Sequence, residues 1–219
     1  MLMKPGTLQG WQSFFDGIYG PRNQSRSPEE IWLHLVGRAG ILAEALRKEV
    51  EARKIAEHLC HIFAWLCAFA NKSEIQLSQV VWNKYPGRCP YCLAFKNCVC
   101  IGSSKKRKID WDQQSLQWGR DQSSCYWFTQ WQEMFRKVYG NVNRVIPRFQ
   151  VGFHLLEEIG ETARVILQKE ETELTLEVAD VFAWTMGLAN KLRVDLNEHL
   201  WRMFQKGCPF CHNEVCQCN

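Results

Sequence analysis

The stretch HLLEEIGETARVILQKEETELTLEVAD, residues 154–180, decides how this chain is read. It carries two carboxylate pairs at i, i+3 spacing, Glu158 with Glu161 and Glu177 with Asp180, each inside an otherwise apolar, helix-forming pattern. At about 3.6 residues per turn, each pair lies on one helical face. Two such helices packed face to face gather four carboxylates, and such a cluster persists inside a bundle only when cations compensate it. The spacing therefore predicts a magnesium site, with manganese as the substitute ion, held by Glu158, Glu161, Glu177 and Asp180.

Outward from this stretch, the chain repeats itself. Residues 34–40, HLVGRAG, align with residues 154–160, HLLEEIG, and residues 11–20, WQSFFDGIYG, align with 131–140, WQEMFRKVYG, both at an offset of 120. Phe63-Ala64-Trp65 matches Phe182-Ala183-Trp184, and Ala70-Asn71-Lys72 matches Ala189-Asn190-Lys191, at an offset of 119. The period is too long for a solenoid unit, so the expectation is a tandem duplication. Its parts are a first repeat over 1–100, a basic polar linker over 101–124 containing Lys105, Lys106, Arg107 and Lys108, and a second repeat over 125–219. At the four carboxylate positions the first repeat has Arg38, Ile41, His58 and His61. A single working half with a degenerate partner explains that replacement.

The apolar spacing is helical throughout, and no alternating strand pattern stands outside the cysteine loops. Ser27-Pro28-Glu29-Glu30 is a capping box with proline at the first helical position. It opens a helix expected over 28–52, followed by helices over 53–69 and 75–83. In the second repeat the expected helices are 149–169, 171–192 and 196–206, the last opened by Asp195 and Glu198. The fold class is all-α.

The order E-x-x-E, fifteen residues, E-x-x-D, with the local wording LLEEIGE and EVADVFAW, resembles the MazG-like all-α nucleotide pyrophosphohydrolases. That resemblance covers about 149–206 and, more faintly, the first repeat. It implies magnesium-assisted hydrolysis of a nucleoside triphosphate to monophosphate and pyrophosphate, with the ions on Glu158, Glu161, Glu177 and Asp180. Because such enzymes build their helical core from two chains, it also implies that the two repeats pack as an intramolecular pseudo-dimer. The first repeat is then scaffold, packing through Leu35, Ile62, Phe63 and Trp65.

Further candidates follow from helical position. Glu157 is a candidate water-orienting base, although it lies about 100° round the helix from Glu158. Lys191 falls three turns beyond Asp180 on the same face, where it can meet a phosphate, and Asn190 can bond a base or sugar. Both recur in the first repeat, which favours a structural role. His154 recurs as His34 and is expected to be buried and hydrogen-bonded, and His58 with His61 are read as decayed motif positions rather than a chelate. Trp65, Trp184 and Phe182 are read as core or as stacking partners for a base.

Eight of the eleven cysteines form two clusters, Cys89, Cys92, Cys98, Cys100 and Cys208, Cys211, Cys216, Cys218. Their C-x-x-C and C-x-C spacing predicts two four-thiolate structural zinc sites of zinc-knuckle type. Cys60, Cys67 and Cys125 are read as core thiols or incidental residues. The formal charge is +4, and eight thiolates with two Zn²⁺ add about −4, so basicity argues little for nucleic acid. The longest apolar run, 59–70, is shorter than the roughly 20 residues a membrane span needs, and the N-terminus lacks a leader pattern. The expected location is the cytoplasm, the partner is a nucleoside triphosphate, and further homo-oligomerisation stays open. Two other functions remain: a nucleotide sensor with little turnover, and a zinc-dependent adaptor for nucleic acid or protein.

Overall fold

The computed structural model describes residues 2–100 and 126–218. The linker over 101–124, with its basic run, and Cys125 lie outside the described residues. Among those residues the regular structure is eight helices: α1 Leu8–Asn23, α2 Pro28–Arg47, α3 Ala52–Lys72, α4 Leu77–Lys84, α5 Phe128–Val145, α6 Arg148–Gln168, α7 Glu171–Leu192 and α8 Leu196–Phe204. The all-α expectation holds. The segments 11–20 and 131–140, noted in the sequence only for their likeness, lie in α1 and α5.

Helix ends follow local chemistry. Ser27 and Glu30 form the reciprocal capping box, and Thr7 and Asp195 each accept a bond from the backbone N–H three residues on. α2 stops at Arg47 rather than 52. Glu49 turns left-handed at φ 52°, and its N–H and that of Val50 cap the carbonyls of Leu46 and Ala45. The same motif ends α3, through Glu74 and Ile75, and α7, through Arg193 and Val194.

The packing is reciprocal. α2 lies on α3 and α6 on α7; α2 also meets α6, and α3 meets α7. The short helices cross over, α4 packing on α7 and α8 on α3. The cysteine loops cross in the same sense. Asn97 and Cys98 donate their N–H groups to the α5 carbonyls of Lys137 and Val138, while Cys216 donates to the α1 carbonyl of Ile18. Three loop N–H groups are thereby satisfied by the opposite half, while Cys89, Leu93, Cys208 and His212 donate to carbonyls within their own loops.

One aromatic core runs through both halves. Phe63 meets Phe128 at 5.2 Å and Phe182 at 6.0 Å between ring centroids, and Phe15 meets Phe204 at 4.9 Å. All five rings are fully buried, so each half covers the other's apolar face. Close approach of α2 and α6 depends on Gly152, where a Cβ would stand 2.2 Å from Leu46 Cδ1. No described helix is long and apolar enough to cross a membrane.

Candidate functional site

α6 and α7 are antiparallel neighbours joined at Lys169–Glu170, so Glu158 on one and Glu177 and Asp180 on the other face each other. One oxygen from each of these three lies within 4.8 Å of the other two. All three are half-buried. Glu161, the fourth expected ligand, is exposed one turn beyond Glu158 and stands outside this close group, although its charge still acts on Glu158.

The electrostatics are those of a site short of positive charge. Burial, then Asp180, Glu177 and Glu161, push the Glu158 carboxyl up to about 8. Burial and Asp180 likewise raise Glu177. Glu177 Oε2 is buried and has no hydrogen-bond partner among the described residues. A buried carboxylate oxygen without a donor is costly, and three carboxylates this close repel unless a cation sits among them. Hard oxygen donors of this kind suit a magnesium or manganese ion. Trp184 Nε1 donates to Glu158 Oε1 at 3.1 Å, which restricts how that carboxylate can turn.

Two residues of the first half reach the same place, and sequence reasoning missed both. Lys84 Nζ, at the end of α4, donates to Asp180 Oδ2 at 2.5 Å and to the Leu176 carbonyl at 3.2 Å. The Tyr85 hydroxyl donates to Asp180 Oδ1. A signal existed in the internal alignment. Met203 and Phe204 occupy the corresponding positions of the second half, so the lysine and the phenol appear only in the half whose short helix packs on the acidic pair.

Other predicted residues lie elsewhere. Glu157 is exposed and its Oε2 is 3.1 Å from His154 Nδ1, away from the cluster. His154 is not buried as expected. Its ring stacks on Trp184 at 4.5 Å, as His34 stacks on Trp65 at 4.6 Å, because the aromatic partner lies at the helix surface. Asn190 and Lys191, expected to be either ligand contacts or structural, each have partners within the chain. Asn190 is bonded to Gln132, which also holds the Val194 carbonyl and the Leu196 N–H, and Asn71 with Gln12 repeats that arrangement. Lys191 donates to the Arg144 carbonyl, as Lys72 does to Gln24. Phe182 is fully buried in the core, as are the thiols of Cys60 and Cys67.

The cysteine clusters each converge. Within the first, Sγ separations are 3.4 Å for Cys89–Cys98, 3.7 Å for Cys92–Cys98 and 3.8 Å for Cys89–Cys100; in the second, Cys208–Cys218 is 3.7 Å. All eight sulfurs are unbridged. A tetrahedron with Zn–S of about 2.3 Å has an edge of about 3.8 Å, so this spacing fits zinc.

A family model described as the MazG nucleotide pyrophosphohydrolase domain matches residues 151–208. That span takes in most of α6, all of α7 and α8, and the three converging carboxylates. The first half lies outside it. No curated protein and no solved structure matches the chain.

Proposed function

We propose that this protein is a divalent-metal-dependent nucleotide pyrophosphohydrolase, cleaving a nucleoside triphosphate to monophosphate and pyrophosphate at the α6–α7 face. The observation that carries this reading is the convergence of Glu158, Glu177 and Asp180 inside the segment that resembles the MazG domain. These three would hold the ion, with Glu161 at the exposed rim, and zinc would fill the two cysteine clusters. A bound magnesium or manganese ion supplies charge neutralisation for the triphosphate oxygens and lowers the pKa of a water.

The chain's own groups supply the remaining parts. In the reaction, the water oxygen bonds to the α-phosphorus, the bond from that phosphorus to the α–β bridging oxygen breaks, and pyrophosphate leaves. A carboxylate of the cluster takes the proton of the water. Trp184 keeps Glu158 from turning away, and Lys84 and Tyr85 keep Asp180 in place. The duplicated chain is read as an intramolecular pseudo-dimer. The crossed packing of α4 and α8, the crossed cysteine loops and the repeated Gln–Asn networks all support it.

The test is pyrophosphate release from a panel of NTPs and dNTPs with Mg²⁺ or Mn²⁺, native against Glu177→Gln. Removing one preorganised charge should cost on the order of a hundredfold or more in turnover. Absence of release from every nucleotide, with zinc sites filled, overturns the hydrolase reading in favour of a nucleotide sensor.

A further inference from the structure

The end of α4 brings a charged side chain of one half against the acidic face of the other. Lys84 is a buried lysine, its side chain 5% exposed, set against Asp180 at 14%. Burying an ammonium is expensive unless a carboxylate compensates it, so the Lys84–Asp180 pair stands or falls as a unit. Asp180 has both oxygens occupied, Oδ2 by Lys84 and Oδ1 by Tyr85. Glu177 Oε2, by contrast, is buried without a hydrogen-bond partner among the described residues. The three carboxylates are therefore not equivalent, although their spacing in the sequence makes them look so.

We propose that Lys84 is a tethered cation of the acidic site: delivered by the first half, its ammonium neutralises one of the three carboxylates and sets how tightly a divalent cation is held. This rests on the reading that the cluster holds such a cation. With Glu158 ionised, the three converging carboxylates and one ammonium leave a charge of −2 for a divalent ion to meet, and Glu161 adds a further charge at the exposed rim. Lys84 is then a positioning residue, holding Asp180 and standing in for part of the metal charge that a four-carboxylate site would otherwise require. The first half, which has no carboxylate at its own four motif positions, is in this way an obligate part of the second half's site. The residues found at the corresponding positions, Met203 and Phe204, show that the same packing accepts neutral side chains.

The sign of the effect separates this role from a merely structural one. A variant that only damages packing loosens the ion; loss of a competing positive charge tightens it. In the zinc-loaded full chain, with Mn²⁺ as the probe and calorimetry as the readout, Lys84→Met and Lys84→Gln should each bind Mn²⁺ about tenfold tighter than native, since a neighbouring charge acts over this distance at that scale. Lys84→Arg, which keeps the charge, should bind as native does. Glu177→Gln identifies the acidic site in the titration. Native protein binding Mn²⁺ no better than Glu177→Gln overturns the cation reading and the proposal together. Native binding that is lost in Glu177→Gln but unchanged or weaker in Lys84→Met and Lys84→Gln overturns the Lys84 role alone.

Discussion

The α6–α7 face and the α2–α3 face occupy corresponding places in the two halves and carry opposite chemistry. Where the first has Glu158, Glu177 and Asp180, the second has Arg38, His58 and His61. What the opposite half lays against each face differs to match. Asp180 meets the Lys84 ammonium and the Tyr85 hydroxyl. His61 meets Phe204 at 6.1 Å and stacks on Phe210 at 5.6 Å, and the Arg38 guanidinium lies 5.6 Å over the same Phe210 ring. Tyr91 is the counterpart of Phe210, and its hydroxyl is pushed up to about 12, first by burial and then by Asp180 and Glu158. Helix packing tolerates either set because the compensation is local: a hydroxyl and a cation face the Asp180 carboxylate, and phenyl rings face the His61 imidazole and the Arg38 guanidinium. The scaffold is shared, and the chemistry lives in a few side chains at its edge.

The comparison breaks most severely if the scaffolds are not in fact alike. Gln12 and Gln132 each tie the first helix of their half to the end of the long third one, through an asparagine, a carbonyl and an N–H. Replacing either by alanine strands buried backbone groups and should cost about 2 kcal/mol, by the same amount at both sites. Urea unfolding of the two variants measures this, and strongly unequal losses would undo the likeness.

A smaller effect sharpens the charge contrast. Burial, then Arg38 and His58, lower His61 to about 4, so between about pH 4 and 6.5 the unfolded chain binds more protons and stability rises with pH. Glu158, raised to about 8, works the other way. From about pH 4.5 to 8 the folded, metal-free protein holds the extra proton, and stability falls as pH rises. Thermal unfolding against pH should show His61→Gln flattening the acid limb and Glu158→Gln flattening the alkaline one. Added Mg²⁺ should raise Tm more at pH 8 than at pH 6, because the ion competes with that proton.

The smallest effect concerns neighbours on one helix. Glu157 is exposed and among the described residues pairs with His154 alone, so Glu157→Gln should change stability by less than about 0.5 kcal/mol. Its Mn²⁺ affinity should equal that of the native protein, in contrast to Glu177→Gln. A marked loss in the Glu157 variant would extend the site round α6.

Much of the architecture was legible in the chain. Periodicity and caps located six helices closely, since capping boxes and apolar spacing are local properties. α2 ends five residues before the expected 52 because Glu49 is left-handed, a conformation that glutamate does not signal in sequence. The i, i+3 carboxylates announced themselves for the same local reason, and the recurrence of Asn190 and Lys191 in both halves already argued for their structural use. Helical spacing alone could not separate Glu161, on the exposed rim, from the three that converge. That depends on how α6 and α7 rotate against each other.

Most of the helices, the two four-sulfur clusters and the i, i+3 carboxylate pairs could be read along the chain, because each is written in spacings of a few turns, and the likeness of segments 120 residues apart showed in residue identities alone. Only the tertiary structure decided that α4 crosses to the other half, bringing Lys84 and Tyr85 to Asp180 from more than ninety residues away. Contacts of that range are set by which apolar faces bury one another, and no spacing along the chain encodes them.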